Sequence, residues 1–560
     1  PIVYWLGEQL RKTLINPASD TILFSDGLIK TGDNLQYLRL WWELISTDVN
    51  NKSRYRFCAK GGKERNYYGN LNNVVKWDEE TRDYYRSDKV ARISPKYLWD
   101  KEGITWTKIS SRGGTFRLLR KEDIAETGGP SLFLKDNVDG NDLLSFIGVI
   151  TSSLAPYSLQ GLNPTLNYQT GDVLRFPLPI KKEEALSSLV HSMIGSSKED
   201  WDSFETSWDF QRFALLDPNQ GSQAGDLLED AVTHLREYWD RVSEEQRQRE
   251  IRNNEMVADA YGVRDDVPCD VLLERVSLKR NVAFAYPKDT PEVRNEKFAQ
   301  DVVKELISYA VGCMFGRYSL DKPGLILASQ GETLNDFHAQ IPNPSFEPDA
   351  DNVIPVTETD CFEDDIVTRF RRFLTVAFGK ENLAATIAYI EQVLGKSIRK
   401  YFVNDFYNDH VKMYSNRPIY WQYSSQTNNK GSFKALVYLH RYTPKTTNVV
   451  LNYLRDYANK IADIADSLER SDRTTDKKQA AKLRKAILEC KDYEDQTLYP
   501  LATSNLEIDL DDGVLVNYLR MGKALRSIPA IEKKRKEVST WTWPVHPLKE
   551  EDKEVRNGKE

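Results

Sequence analysis

The chain has 560 residues, 40% of them hydrophobic and 11% aromatic, and a formal net charge of −7. That is enough apolar material for about two to four packed domains and excludes a disordered chain. No apolar run approaches the roughly 20 residues of a membrane span and no secretory signal opens the chain; five scattered cysteines (Cys58, Cys269, Cys313, Cys361, Cys490) argue against a disulfide framework or a zinc site, so a cytoplasmic protein with no membrane partner is expected.

Residues 1–20 read as a short helix, YWLGEQLRKTL, stopped at Asn16-Pro17. The chain opens at Pro1 with aromatics already in register for a core, so this segment is expected to be a linker helix and the chain part of a longer protein. Residues 21–180 are predicted to be β-rich. Alternation runs through YRFCAKGG and TFRLLR, and turns fall at Gly61-Gly62, Tyr68-Gly69-Asn70, Gly113-Gly114 and Gly128-Gly129-Pro130. Within this stretch NDLLSFIGVITSSLAPYSLQ is predicted helical and VLRFPLPI a closing strand. Residues 181–445 carry apolar residues at helical spacing, with a loop-like segment from Lys322 to Asp365 and a short β segment in RPIYWQYSSQTNNKGSFKALVYLHRY. Residues 446–540 are expected to hold a helical hairpin, turning near Ser471-Asp472-Arg473, and C-terminal helices; 541–560 read as a loose tail. The fold class expected is α+β, a β-rich part followed by a mostly α-helical region.

The charge is unevenly spread. From Lys52 to Lys121 there are 18 Lys and Arg against 8 Asp and Glu, a local balance of +10 in an acidic chain. Such a bias fits either a nucleic-acid footprint or a plain solvated face. The six histidines form no HxxxH or HxH pair, and His410 and His440 read as surface or core residues. No nucleophile elbow or phosphate-binding loop occurs. The acidic run IDLDDG at 508–513 lacks the spacing of a calcium loop and reads as a turn before a helix.

The most informative segment is GLIKTGDN, from Gly27 to Asn34, with YLRLWWE shortly after it. Gly27 and Gly32 permit tight turns, Thr31, Asp33 and Asn34 form turns and caps, and YLRLWWE alternates as a strand. Taken alone it is any hairpin. It resembles the GIxTGxN signature that opens the target-recognition domain of adenine-N6 DNA methyltransferases. The segments EGITWTKISSRGGTFRLL, LLSFIGVITSSLAPYSLQ, YSNRPIYWQYSSQTNNKGSFKALVYLHRYT and IDLDDGVLVNYLRMGKAL come after it in an order similar to the PglX-type enzymes of BREX phage-defence systems. The resemblance implies a target-recognition domain over residues 21–180, double-stranded DNA as partner, contacts with other BREX proteins, and self-marking of host DNA by N6-adenine methylation.

One departure matters. Those enzymes carry a catalytic Asn-Pro-Pro-Tyr/Phe that holds the flipped adenine. Here the Asn-Pro pairs are Asn16-Pro17-Ala18, Asn163-Pro164-Thr165 and Asn343-Pro344-Ser345, and none continues as the motif. No Gly-rich turn after a strand offers a cradle for S-adenosyl-L-methionine, so the methyl donor is expected on a domain upstream of Pro1, and no residue here is expected to be catalytic or to bind a metal. Between Tyr37 and Trp106 thirteen aromatics interleave with basic residues. Most of the aromatics are expected in the core. Lys60, Lys63, Arg65, Tyr68, Asn70 and Arg112 fall at loop tips and are the expected DNA-facing residues, with Arg65 as a base reader. A free-standing specificity subunit and a helical interaction scaffold without a DNA role remain as alternatives.

Overall fold

Short apolar runs bounded by Gly, Pro and Asn build eight strands among the described residues up to position 134: β1 (Leu23–Phe24), β2 (Leu38–Leu40), β3 (Tyr55–Ala59), β4 (Asn73–Lys76), β5 (Gly103–Trp106), β6 (Phe116–Leu119), β7 (Ile124–Ala125) and β8 (Ser131–Leu134). A computed structural model describes residues 7–50, 54–108, 115–163, 165, 167–178, 184–221 and 226–541. The strands form two four-stranded sheets, β1-β8-β5-β6 and β2-β4-β3-β7. Every ladder in them is antiparallel except β3–β7, where Cys58 faces Ile124 and Ala59 faces Ala125 in parallel register.

The chain divides into two units. The first comprises Pro1–Trp41, Asp48–Phe210 and His234–Phe298; the second comprises Trp42–Thr47, Gln211–Thr233 and Ala299–Glu560. The expected boundary at residue 180 does not coincide with this division. Leu186, Val190 and Met193 from the helix Glu184–Asp202, and Met256 and Val257 from the helix Leu228–Tyr261, join the core made by Trp106, Phe116, Leu132 and Phe146. The β-rich part lacks a complete apolar covering of its own, and the later helices supply it.

The expected helix near the N-terminus spans Glu8–Thr13 among the described residues. NDLLSFIGVITSSLAPYSLQ forms two helices, Gly140–Thr151 and Leu154–Leu162, bent by 84°. No single helix among the described residues is long and apolar enough to cross a membrane. The closing strand expected in VLRFPLPI is corrected. Gln169 and Asp172 form a capping box that starts a helix at Thr170–Leu174. Among the described residues after that helix there is an isolated bridge, Ala18 to Pro177, and proline cannot donate to a ladder. YLRLWWE is strand only over β2, then turns at Trp41–Glu43.

The second unit is mostly helical. Its sheet has the order β10-β11-β9, from β9 (Val353–Pro355), β10 (Tyr420–Ser424) and β11 (Lys434–Tyr438). β9 lies inside the segment read as loop. His410 and His440 are both core residues: burial drives each to about 3, and the backbone N–H of Tyr420 donates to His410 Nε2 at 3.1 Å. The hairpin helices are Thr446–Glu469 and Thr474–Tyr493, and IDLDDG is a turn, Leu510–Asp512, leading into the helix Gly513–Arg520.

Candidate nucleic-acid interface

In the first unit the signature segment is zipped on both sides. Ile29 N–H donates to Ala125 O at 3.0 Å and Thr127 N–H to Ile29 O at 3.2 Å; on the other edge Lys30 and Arg92 exchange backbone hydrogen bonds at 2.8 and 2.7 Å. Alternation therefore buries Ile29 and Thr31 and turns Lys30 outward. Gly32 sits at φ +79, and a Cβ there would meet the Tyr84 hydroxyl at 2.8 Å, so only glycine fits the turn. Asp33 then caps the short helix Asn34–Tyr37 by accepting from Leu35 N–H and Gln36 N–H.

The turn 126–130 links this signature to the loop that leaves β3. The Glu126 carboxylate accepts from Gly128 N–H at 2.7 Å and from the Thr127 hydroxyl at 3.0 Å. Gly61 N–H donates to Gly128 O at 3.2 Å. A Cβ on Gly129 would lie 2.8 Å from Ala59 O and 2.9 Å from Lys60 Cα, so the two backbones touch where no side chain could intervene. Gly62 N–H donates to Thr107 Oγ1 at 3.3 Å, which draws in the end of β5.

These contacts separate the expected DNA-facing residues. Lys63 is exposed and Lys60 partly so. Asn70, at φ +60, donates its amide to Lys63 O at 2.9 Å and closes the loop from within. Arg65 and Tyr68 are corrected, because both are buried, at 5% and 4% exposure. Arg65 pairs with the fully buried Asp200 at 2.8 Å and lies over the Trp201 ring. Asp200 also accepts from the N–H groups of Lys279 and Arg280, so it needs a cation and not more solvent. Tyr68 lies in the core with Lys198 over its ring, and burial pushes its hydroxyl up to about 12. A buried guanidinium already bonded to a carboxylate cannot read a guanine. Arg112 lies outside the described residues.

Three basic residues that the sequence did not single out share the surface. Lys30, Arg92 and Lys108 are exposed or partly so, and among the described residues none of Lys30, Lys60, Lys63, Arg92 and Lys108 makes an ion pair. The alternation of Ile29, Lys30 and Thr31 was the signal available for Lys30. Beneath them Arg117 on β6 is wholly buried. Its Nη1 makes three long hydrogen bonds, each 3.4 Å, to Arg65 O, Thr107 Oγ1 and Thr115 O, while Nε and Nη2 have no partner among the described residues. Burial and the neighbouring Arg65 charge pull it down to about 10, so it stays a cation at neutral pH without a carboxylate to offset it. The site as built joins three backbone segments that carry these cations, with Arg117 buried against Arg65 and Thr107.

A methyl-donor site does not fit the described residues. No strand among them feeds through a Gly-rich turn into a helix in a parallel sheet, and the Asn163 amide is spent on Asp172 and Asn167 O. No group of three His, Cys, Asp or Glu among the described residues could hold a metal ion.

No protein-family model matches the chain. It is similar to the adenine-specific methyltransferase BrxX of Escherichia coli O9:H4 (strain HS), 31% identical over 559 residues, covering 95% of this chain and 45% of that protein. It is similar also to the adenine-specific methyltransferase PglX of Lacticaseibacillus casei (strain Zhang), 32% identical over 557 residues, covering 93% of this chain and 44% of that protein. The chain thus spans a little under half the length of the curated relatives it matches.

Proposed function

From the premise that this chain is homologous over nearly its whole length to PglX-type adenine-specific methyltransferases, we propose that it carries the DNA-recognising half of such an enzyme. In this reading it binds double-stranded DNA in the cytoplasm and fixes the register at which a target adenine is presented for N6 methylation, marking host DNA as self in a BREX system. The observation that carries the reading is the surface of Lys30, Lys60, Lys63, Arg92 and Lys108. These cations have no ion-pair partner among the described residues, they sit on loops locked by Glu126, Gly129 and the Arg65–Asp200 pair, and they belong to an otherwise acidic chain. Phosphate contacts position a protein on the duplex, and rigid loops make that position reproducible. S-adenosyl-L-methionine chemistry belongs, in this reading, to the part of the relatives that the chain does not align with.

The test is duplex binding by the purified chain at 50 and 200 mM salt, with methyl transfer measured on the same preparation. Binding that weakens steeply with salt, and no methyl transfer, is expected. Binding that ignores salt would rule out an electrostatic surface, and methyl transfer by the clean preparation would show that the chain holds its own donor site.

A further inference from the structure

In the second unit the helix Thr474–Tyr493 carries Lys478, Lys482 and Lys485 at i, i+4 and i+7, on one face. Elsewhere on this hairpin Arg484 pairs with Asp466 and Glu469, Lys460 with Asp456, and Arg455 with Glu494, while Arg470, Arg473, Lys477 and Lys491 make no ion pair among the described residues. Along the stripe only Lys482 has such a partner among the described residues, the exposed Glu358 at 2.8 Å, and Lys478 and Lys485 have none. The same face runs on into a cavity of about 470 Å³, lined among others by Lys485, Gln426, Glu489, Asp492 and Lys523.

The wall opposite the helix is the polar loop between β10 and β11, and it is held from both sides. The Glu489 carboxylate accepts from the Ser425 hydroxyl, Gln426 Nε2, Ser432 N–H and the Ser432 hydroxyl, four neutral donors that hold it against the loop and leave its charge in place. Lys434, buried at the loop's end, donates to Val403 O at 2.8 Å and Asn429 O at 2.9 Å. Two helix segments with one residue too many per turn, Phe402–Phe406 and Glu494–Leu498, flank the loop. Asn404 O of the first accepts from Asn429, and Gln496 of the second lines the cavity. Such bulges are costly to keep and recur at functional sites. The face therefore offers three cations in a row, at about 6 and 4.5 Å intervals along the helix axis, ending at a fixed loop of amides and hydroxyls with Lys523 beyond. Glu489 and Asp492 are the acids at its far end.

We propose that this face, Lys478, Lys482 and Lys485 with the loop Ser425–Thr427 and Lys523, is a second contact with the sugar-phosphate backbone of double-stranded DNA. The inference rests on the reading that the chain binds DNA, and it places part of that binding in the second unit. A row of ammonium groups complements a row of phosphates, and the loop's amides and hydroxyls suit phosphate and sugar oxygens. The contact is independent of base sequence, because its lysines are point charges and the planar amide of Gln426 is already committed through Nε2 to Glu489.

The experiment compares the full chain with the triple variants Lys478→Glu, Lys482→Glu, Lys485→Glu and Lys60→Glu, Lys63→Glu, Lys108→Glu, titrated with a duplex over a range of salt. A glutamine version of the first triple guards against folding defects. Lysine acetylation of the wild-type chain, read by mass spectrometry with and without duplex, adds a direct footprint. The glutamate triple on the helix is expected to weaken all duplexes alike by tenfold or more at 50 mM salt. It should also flatten the slope of log affinity against log salt by about 0.9 for each phosphate no longer neutralised. The glutamine triple should move both in the same direction by less, and Lys478 and Lys485 should be protected by DNA. If the helix triple leaves affinity and slope unchanged and its lysines unprotected, while the loop triple abolishes binding, the second contact is wrong and the DNA reading stands. If the wild-type chain shows no salt-dependent binding at all, both fall together.

Discussion

The Arg65 guanidinium sits 2.8 Å from the Asp200 carboxylate, with the arginine side chain 6% exposed and the aspartate not at all. A residue at a turn-rich loop tip is thereby an anchor: it ties the loop after β3 to the end of the helix Glu184–Asp202 and, through the other Asp200 oxygen contacts, to the backbone at Lys279 and Arg280. Breaking a buried pair from one side leaves a naked charge and costs about 3–5 kcal/mol. Arg65→Ala and Asp200→Ala are each expected to destabilise the first unit by that order. The double variant should cost less than the sum, measured by urea denaturation. Equal DNA affinity per folded molecule in the single variants would agree with an anchoring role, and selective loss of one cognate sequence would return Arg65 to base reading.

The surface lysines should behave oppositely. Lys60→Glu, Lys63→Glu and Lys108→Glu are exposed or partly exposed changes that break no ion pair among the described residues, so the melting temperature should hardly move. Duplex affinity should fall on every sequence, and the salt slope should drop by about 0.9 for each phosphate left uncovered. Fluorescence anisotropy at four salt concentrations reads both quantities at once.

Arg117 sets stability against binding. A wholly buried guanidinium with no carboxylate and two unpartnered nitrogens among the described residues is a desolvated charge whose cost is not returned. Arg117→Met should stabilise the first unit by about 1–3 kcal/mol, as apolar replacement of buried charge often does. The same change removes a cation under the loops and should weaken DNA binding severalfold. A variant that is less stable than the parent would mean that the three long hydrogen bonds matter more than the desolvation.

Glu250 gives the first unit a pH dependence. It is buried on the helix Leu228–Tyr261, and burial drives its carboxyl up to about 8, with a hydrogen bond from Gln246 pulling slightly the other way. Its folded pKa is raised above the ordinary value of 4.5, so this contribution to stability is full below about pH 4.5, declines as the unfolded chain ionises, and is gone above about pH 8. Glu250→Gln should therefore match the parent near pH 5 and exceed it by a few kcal/mol, as an order of magnitude, near pH 9. Urea melts at both values decide; a constant difference would assign the effect to packing.

Legibility in the sequence tracks the range of the forces involved. The hairpin helices Thr446–Glu469 and Thr474–Tyr493 repeat their apolar face over many turns, so periodicity locates them and the turn at Ser471-Asp472-Arg473. The turn glycines and the outward Lys30 are fixed by neighbours in sequence. Arg65 and Tyr68 are not. Their burial depends on Asp200 and Lys198, which lie far along the chain, and nothing in RNYYGN shows that such partners await. β9 escapes because three residues carry no measurable alternation, and VLRFPLPI misleads because its apolar residues serve a helix end and a proline-bounded bridge. Of the two basic patches, the one on Lys52–Lys121 is visible as a charge excess in an acidic chain; the stripe at Lys478–Lys485 lies in a helix with 6 Lys and Arg against 3 Asp and Glu, and only the helical spacing gathers its lysines on one face.

The loop after β3 is held on both sides of its tip, by the backbone of Gly61 and Gly62 before it and by buried side chains after it. Arg65, Tyr67 and Tyr68 are sunk into the core, and Tyr67 keeps a left-handed backbone while it pairs with Phe116 and Leu118. Lys63, just before them, extends into solvent. A lineage can therefore exchange the tip at little cost to folding, while almost any change at the pins would be purged. Variation among close descendants should gather at Lys63 and stop at Gly62 on one side and Arg65 on the other, which gives the loop the character of an interchangeable key bit on a fixed shank.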